Sequence, residues 1–271
     1  MSVRKIAVTG GDGFIGSAVC SRLRELDVDP VVMDRHRGID ILDDSLEFML
    51  QDCEGIIHLA GVLGTAELFQ APEYAIDVNV KGTARVLRAA SVIGLPYVDI
   101  TMPQVWDNIY QATKLAAVKM ANAYHRHFDL PVCHVRAFNV FGPGQHVGSP
   151  QKIVPTFAHR AWRGWPIPIW GNGEQKVDLI YVVDVAEILV EALRFGDART
   201  IDAGTGKPLT VNEVAEHVLY MTHHVSKVEY LPMRAGEHGD GAVATGEGWE
   251  ELGWTPKFEM WQLVNTVESY R

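Results

Sequence analysis

Thr9-Gly10-Gly11-Asp12-Gly13-Phe14-Ile15-Gly16 decides how the rest of this 271-residue chain is read. Before it, Arg4 to Thr9 predicts a short buried strand; after it, Phe14 to Leu26 predicts a helix with Ala18, Leu23 and Leu26 on its apolar side. Glycines at 10, 13 and 16 occupy the turn between them, spaced GxxGxxG and not GxGxxG. Glycine permits a tight turn and a close backbone approach, and the helix start offers free N–H groups to an anion. Strand, glycine turn and helix together predict a dinucleotide site.

A second strand, Pro30 to Met33, ends in Asp34, about twenty residues after the glycines, where a carboxylate can accept hydrogen bonds from the adenosine ribose. A carboxylate there disfavours a 2′-phosphate, so NAD is preferred to NADP. Arg35 and Arg37 follow at once and could hold that phosphate, or could belong to a solvated loop.

Tyr110 and Lys114 stand four residues apart. On a helix the two share one face, and the ammonium is expected to lower the phenol's pKa. A tyrosine near pKa 10 is a poor base at neutral pH, and bringing it to about 7 requires about 4 kcal/mol. One ammonium in a partly dry pocket together with a positive nicotinamide ring could supply that.

Composition narrows the class. Nearly half the residues are apolar (47%), enough for one large domain or one large and one small. A formal charge of −10 argues against a nucleic-acid binder. The three cysteines, Cys20, Cys53 and Cys133, are scattered in apolar segments without a CxxC and read as reduced core residues of a cytoplasmic protein. The first strand begins within five residues of Met1, which leaves no room for a signal peptide, and no apolar run approaches the length of a membrane span. Histidines such as His125, His127 and the His223-His224 pair lack a ligand-set spacing, so no metal is expected.

From Lys5 to about Gly142, strands (Gly55–Leu59, Tyr97–Thr101, Val132–Ala137) alternate with helices (Glu73–Ile93, Ile109–Phe128), which predicts an α/β fold with a Rossmann-type, doubly wound parallel sheet. After Pro143 the rhythm is less regular. Gln151 to Arg163, Asp184 to Phe195 and Phe258 to Tyr270 read as helices, and Ile167–Trp170 and Lys176–Val182 as strands. The expected division is 1–142 as the cofactor-binding domain and 143–271 as mainly a smaller substrate-binding lobe, with some elements returning to the main sheet.

At this point the chain resembles the extended short-chain dehydrogenase/reductases, in particular the NAD-dependent nucleotide-sugar epimerase/dehydratase branch. The resemblance runs over nearly the whole chain. It rests on TGGDGFIG, Asp40-Ile41, His58-Leu59-Ala60-Gly61, Asn79-Val80-Lys81-Gly82-Thr83, the Tyr110/Lys114 pair and Arg136-Ala137-Phe138-Asn139-Val140-Phe141-Gly142. Ile169-Trp170-Gly171-Asn172-Gly173, Tyr181-Val182-Val183-Asp184, Gly204-Thr205-Gly206 and Arg234-Ala235-Gly236-Glu237 follow in the same order.

The resemblance implies an NAD site formed by Gly10, Gly13, Phe14, Ile15 and Gly16 in the turn, with Asp34 and Arg35 at the ribose and Asp40 and the Ile41 backbone at the adenine. Leu59, Ala60, Gly61 and Asn79 would line the cofactor, Phe138 would lie near the nicotinamide, and Tyr110 and Lys114 would meet its ribose end. Asn139 and Arg234 would hold the diphosphate of a nucleotide-sugar, the arginine by its fork. Tyr110 would take a proton from a sugar hydroxyl while hydride passes to NAD, and return of the hydride to the opposite face would complete an epimerisation.

Four departures bear on that reading. The family's catalytic Ser/Thr position falls on Met102, so Thr101 serves as the hydroxyl only if the strand end shifts by one residue. Pro103-Gln104 stand where dehydratases carry an Asp-Glu pair, which argues against dehydration. Thr101 and Tyr110 are only nine positions apart, so the pocket is more open or is closed by another loop or a partner. Val177 replaces an arginine common in relatives, with Lys176 beside it. A carbonyl or keto-sugar reductase and a cofactor-binding regulatory protein of weak activity remain alternatives. Helices around Tyr74 to Ala90 and Ile109 to Phe128 carry apolar residues on more than one side, and in this family the corresponding helices pair across a twofold axis, which predicts a homodimer.

Overall fold

The computed structural model describes residues 4–43, 46–223, 226–237, 239 and 241–271; His224, one of the histidines noted above, lies outside them. The chain enters at β1 (Lys5–Thr9) and passes through α1 (Phe14–Glu25) to β2 (Asp29–Met33). After α2 (Leu46–Leu50) and β3 (Ile56–His58) comes one long helical run: α3 (Pro72–Ala75), a π-helical stretch Ile76–Gly82, and α4 (Thr83–Ile93). Then come β4 (Tyr97–Thr101), α5 (Ile109–Phe128) and β5 (Val132–Ala137). The second half holds β6 (Asn139–Phe141), α6 (Ile153–Trp162), β7 (Ile167–Trp170), β8 (Lys176–Val177), β9 (Leu179–Tyr181) and α7 (Val182–Glu191). It continues with β10 (Asp197–Ala203), β11 (Leu209–Thr210), α8 (Val211–Met221), β12 (Val228–Leu231), α9 (Trp249–Leu252) and α10 (Met260–Glu268).

Six strands form the main sheet in the order β10-β5-β4-β3-β1-β2, and every pairing in it is parallel. Alternation along the strands gives it two apolar faces. Val8, Ile57, Val98 and Val135 pack with Val19 and Leu23 of α1 and Val185 and Leu189 of α7. Ala7, Ile56, Tyr97 and Val132 pack on the other face with Val86 and Leu87 of α4 and Ala121 of α5. A third cluster, including Phe141, Phe157, Leu179, Val214 and Leu263, joins α6, α8 and α10 around the short strands of the second half.

Several elements differ from the sequence reading. The helix expected over Glu73–Ile93 is interrupted by the π-helical stretch, which widens the turn around the buried Asn79. The strand expected over Lys176–Val182 is broken at Asp178, whose carboxylate is fully buried. It accepts hydrogen bonds from Thr205 N (2.7 Å) and Oγ1 (2.6 Å) and from Gly206 N and Ala244 N, both at 2.9 Å. Finally, β10 and α8 emerge where no element was expected. The polar residues of Asp-Ala-Arg-Thr-Ile-Asp-Ala hide a strand whose Asp202 is buried against Arg136 (Nε–Oδ1 2.7 Å) and the 245–247 backbone.

A buried polar relay ties β1 to β3 and to the helical run. The Thr9 hydroxyl, which accepts from Leu59 N and Ala60 N, donates to His58 Nδ1 at 2.7 Å. His58 Nε2 then donates to Thr83 Oγ1 (3.0 Å), and that hydroxyl donates to the Asn79 carbonyl (2.7 Å). Burial, with Lys114 adding to it, pushes the His58 pKa down to about 3, so the ring is neutral and one tautomer satisfies both bonds.

Two outcomes are expected. Asp178→Ala, which leaves four donor contacts without their acceptor, should cost about 3–5 kcal/mol in denaturant unfolding; a loss below 1 kcal/mol would show that water replaces the carboxylate. His58 binds no proton in the folded chain between its ordinary value of 6.5 and about 3, whereas the unfolded chain does. Its contribution to stability therefore falls as pH drops below 6.5, by about 1.4 kcal/mol per unit. NMR of the His58 ring should show no titration between pH 7 and 4.5.

Candidate active site

Gly10 has φ +68° and its amide donates to the Met33 carbonyl at 2.8 Å, which turns the chain sharply off the end of β1. A Cβ on Gly16 would lie 2.1 Å from the Gly10 carbonyl oxygen, and one on Gly10 would lie 2.8 Å from Ala60 N. Only glycine allows α1 to start this close to the strand. The helix begins at Gly13 with no side-chain cap and no acidic residue in its first turn, so its first N–H groups and positive dipole end face the cleft. This cradle fits the pyrophosphate of a dinucleotide.

At the end of β2, Asp34 caps a short 3₁₀ turn by accepting from His36 N (3.0 Å), and its other oxygen accepts from Asp12 N (3.2 Å). Arg37 forks onto Asp12 with two bonds of 2.7 Å, and Arg35 donates to the Tyr74 hydroxyl at 2.6 Å. Both arginines that could have held a 2′-phosphate are thus engaged by the chain's own groups, in keeping with the choice of NAD. The Arg37 guanidinium holds the Asp12 carboxyl below its ordinary value. Asp40 accepts from Leu42 N at 2.9 Å and Ile41 is buried under it.

One cleft of about 670 Å³ runs from these residues past Leu59, Ala60 and Gly61 to Tyr110, then past Phe138 and Asn139 to Arg234. Asn79 does not line it. Its amide is spent on Val62, accepting from the backbone N at 2.8 Å and donating to the carbonyl at 3.1 Å, and it also donates to Thr113 Oγ1. The residue shapes the loop after β3 instead of touching what the cleft holds. Lys114 also stays outside the lining, half-buried one helical turn beyond Tyr110.

α5 begins at Asn108, whose side chain accepts from Gln111 N at 2.9 Å. Gln111 in turn donates to the Pro103 carbonyl (2.7 Å) and accepts from Trp106 N (3.0 Å), pinning the short 102–108 segment onto the helix start. Asn108 Nδ2 also donates to the Gly236 carbonyl at 3.2 Å, so the Arg234–Glu237 segment covers the side that the short loop leaves. Trp106 lines the cleft beneath this contact.

Thr101 is the last residue of β4 and Met102 lies just beyond it; both reach the cleft. Tyr97 packs on the α5 face of the sheet while Val98 and Ile100 belong to the opposite face, so alternation puts Asp99 and Thr101 on the α5 face with Tyr97. That is the side on which Tyr110 and Lys114 stand.

The expected lowering of the Tyr110 pKa by Lys114 is not found in the protein alone. Burial pushes the phenol up to about 12, and it pushes the lysine down, opposed by Asp99. At the far end Arg234 forks onto Glu237 (Nε–Oε2 3.0 Å) and stacks on Trp170, 4.5 Å from the ring centroid. Lys152, depressed by burial and by Arg234, faces the same end with Glu67 and Glu237. Sequence reasoning missed Lys152, Trp170 and Glu237 as cleft residues, although Trp170 and Glu237 stood in motifs it quoted. Val177 belongs to the third core cluster and, like Lys176 beside it, lines the cleft.

Comparison with known proteins agrees with this geometry. The model of the NAD dependent epimerase/dehydratase family matches residues 6–99 and 98–204. The low-salt glycan biosynthesis protein Agl12 of Haloferax volcanii is 28% identical over 97% of this chain and 96% of its own length. The UDP-glucose 4-epimerase of Mycolicibacterium smegmatis is 26% identical over 97% of each. The crystal structure of UDP-glucose 4-epimerase with UDP-glucose from Thermotoga maritima superposes with a TM-score of 0.91 at 26% identity, covering 98% of both chains. Alignment with the Haloferax protein runs over 305 positions against 271 residues here, so that relative carries residues this chain lacks. The fold, the NAD cofactor and the kinship expected from the sequence are borne out: the chain belongs to the NAD dependent epimerase/dehydratase family, as an enzyme of the extended short-chain dehydrogenase type.

Proposed function

We propose that this enzyme epimerises a nucleotide-sugar through a transient keto-sugar. The observation that carries the reading is one cleft whose middle presents Tyr110, with Thr101 on the same side of the sheet, and whose two ends present a pyrophosphate cradle and the Arg234 guanidinium, paired with Glu237 and stacked on Trp170. The relatives named as UDP-glucose 4-epimerases, one solved with UDP-glucose, support it.

In this reading residues 1–142 hold the cofactor and residues 143–271 mainly hold the substrate, with Asn139 and Arg234 on its diphosphate. NAD, when bound, supplies the hydride acceptor and donor and a positive ring. Tyr110 Oη takes the proton of a sugar hydroxyl and returns it after the sugar has turned over. Lys114 keeps a positive charge beside that phenol, which otherwise stays protonated in its dry site. Thr101 shares the proton in place of the hydroxyl lost at Met102. Pro103 and Gln104 offer no acid or base for removing water.

A second reading, a cofactor-binding protein with little turnover, is favoured by Met102 and by the high Tyr110 pKa. In either case the apolar side chains exposed on the helices flanking the cleft, among them Ile76, Val92 and Phe128, fit pairing of two chains. Three buried thiols fit a reducing cytoplasm.

Denatured protein should release NAD, and native protein given a panel of UDP-, dTDP- and GDP-sugars should yield product of unchanged mass and inverted stereochemistry. Tyr110→Phe should abolish this, and Thr101→Val should lower kcat by about 10²- to 10³-fold with KM little changed. Bound NAD without turnover on any of these sugars would favour the second reading, and an unaffected Thr101→Val enzyme would remove Thr101 from the mechanism. Sedimentation velocity at micromolar concentration should give a dimer, and a monomer there would end the pairing proposal.

A further inference from the structure

Asn108 uses both ends of its side-chain amide. Its Oδ1 caps α5 by accepting from Gln111 N at 2.9 Å, and its Nδ2 donates at 3.2 Å to the carbonyl of Gly236, 128 residues further along the chain. The residue is 7% exposed, so neither bond is open to easy exchange with water. Tyr110 stands two residues beyond it, in the first turn of α5, where a helix frays unless its start is held.

The partner of that bond belongs to a tight turn, Arg234-Ala235-Gly236-Glu237. Glu237 N donates to the Arg234 carbonyl at 3.2 Å, the two side chains pair, and Gly236 has φ +77°. The near side of the turn rests on the end of β7: Arg234 stacks on Trp170, and Met233 lies so close to Gly171 that a Cβ there would come 2.7 Å from its Cε. Gly236 rests instead on Phe69 and the start of α5, since a Cβ on it would lie 2.8 Å from Phe69 Cε2 and 3.2 Å from Asn108 Cβ. Gln111 pins the short 102–108 segment through Pro103 and Trp106, which gives the turn a fixed landing place. Capping alone does not call for asparagine. Aspartate caps a helix as well, but it has no donor for a carbonyl outside the helix.

We propose that Asn108 is a positioning residue for the reaction: it seats the turn that carries Arg234 on the helix that carries Tyr110, so that the two keep one separation. The cation on the substrate's diphosphate and the phenol that takes the sugar proton are then parts of one frame, and a substrate held at the first is presented correctly to the second. Small misplacements at a reacting centre cost rate more than they cost binding. The consequence for turnover rests on the epimerase reading, whereas the seating of the turn on the helix start is a property of the protein alone.

Asn108→Asp keeps the cap and removes the donor. Arg234 keeps its stack on Trp170, so KM for the nucleotide-sugar should change less than about threefold while kcat falls by about 10- to 100-fold, with the NAD content unchanged. A residue that only capped the helix would leave kcat as it is, and an unchanged kcat in this variant overturns the proposal. The seating is also read without substrate, by amide hydrogen exchange of the full chain followed by NMR. Gly236→Ala, which presses on Phe69 and Asn108 while leaving every residue of α5 in place, should speed exchange of the Gln111 amide, the proton that Asn108 Oδ1 holds, by about tenfold, and should leave Ala117 in mid-helix unmoved. A change at Gln111 below about twofold overturns the coupling. If Asn108→Asp does not fold, the Gly236→Ala measurement decides. Absence of turnover in the unsubstituted enzyme would count against the epimerase reading, while exchange at Gln111 still decides whether turn and helix start are joined.

Discussion

No side chain fits between the end of β1 and the first turn of α1. The Gly10 carbonyl occupies the space that a Cβ on Gly16 would need, and the rest of the molecule is arranged around that close approach. It sets α1 against one face of the sheet so that its uncapped start opens toward the cleft. The loops after β1, β2, β3 and β4 all end on the same side, and the cleft is what they leave between them. Parallel strands force this outcome, because each crossover helix returns the chain to begin the next strand in the same direction.

Chemistry in that cleft is a contest between dryness and charge. Burial alone makes Tyr110 a weaker acid and Lys114 a weaker base, which is the opposite of what proton transfer at neutral pH requires. The chain also buries charge inside the sheet, where the Asp99 carboxylate accepts from His134 Nδ1 at 2.8 Å. It answers with neutrality elsewhere: His58 gives its two ring nitrogens to hydroxyls, so that buried ring carries no charge.

How much of this could be read from residues follows from where local pattern and tertiary contact agree. The glycine turn, the strands Tyr97–Thr101 and Val132–Ala137 and the helix Ile109–Phe128 were legible because apolar runs, periodicity and turn chemistry all pointed the same way. β10 was not, since its polar residues answer to Arg136 and the 245–247 backbone, far away in sequence. The break at Asp178 was invisible for the same reason: four donors from distant segments, not a local breaker, stop the strand there. Most of the residues the motifs singled out for the cofactor line one cleft, but the motifs could not show that Asn79 is spent on Val62 or that Lys152 reaches the Arg234 end. Those are facts of packing.

The position of β10 has a consequence for how the chain matures. The sixth strand of the main sheet is separated from β5 by the whole of β6 to α7, and it is locked to β5 through Arg136 and Asp202. A nascent chain that has reached residue 142 therefore has the cradle and Tyr110 but an unpaired sheet edge along β5. The molecule closes its main sheet only once its second half has been made.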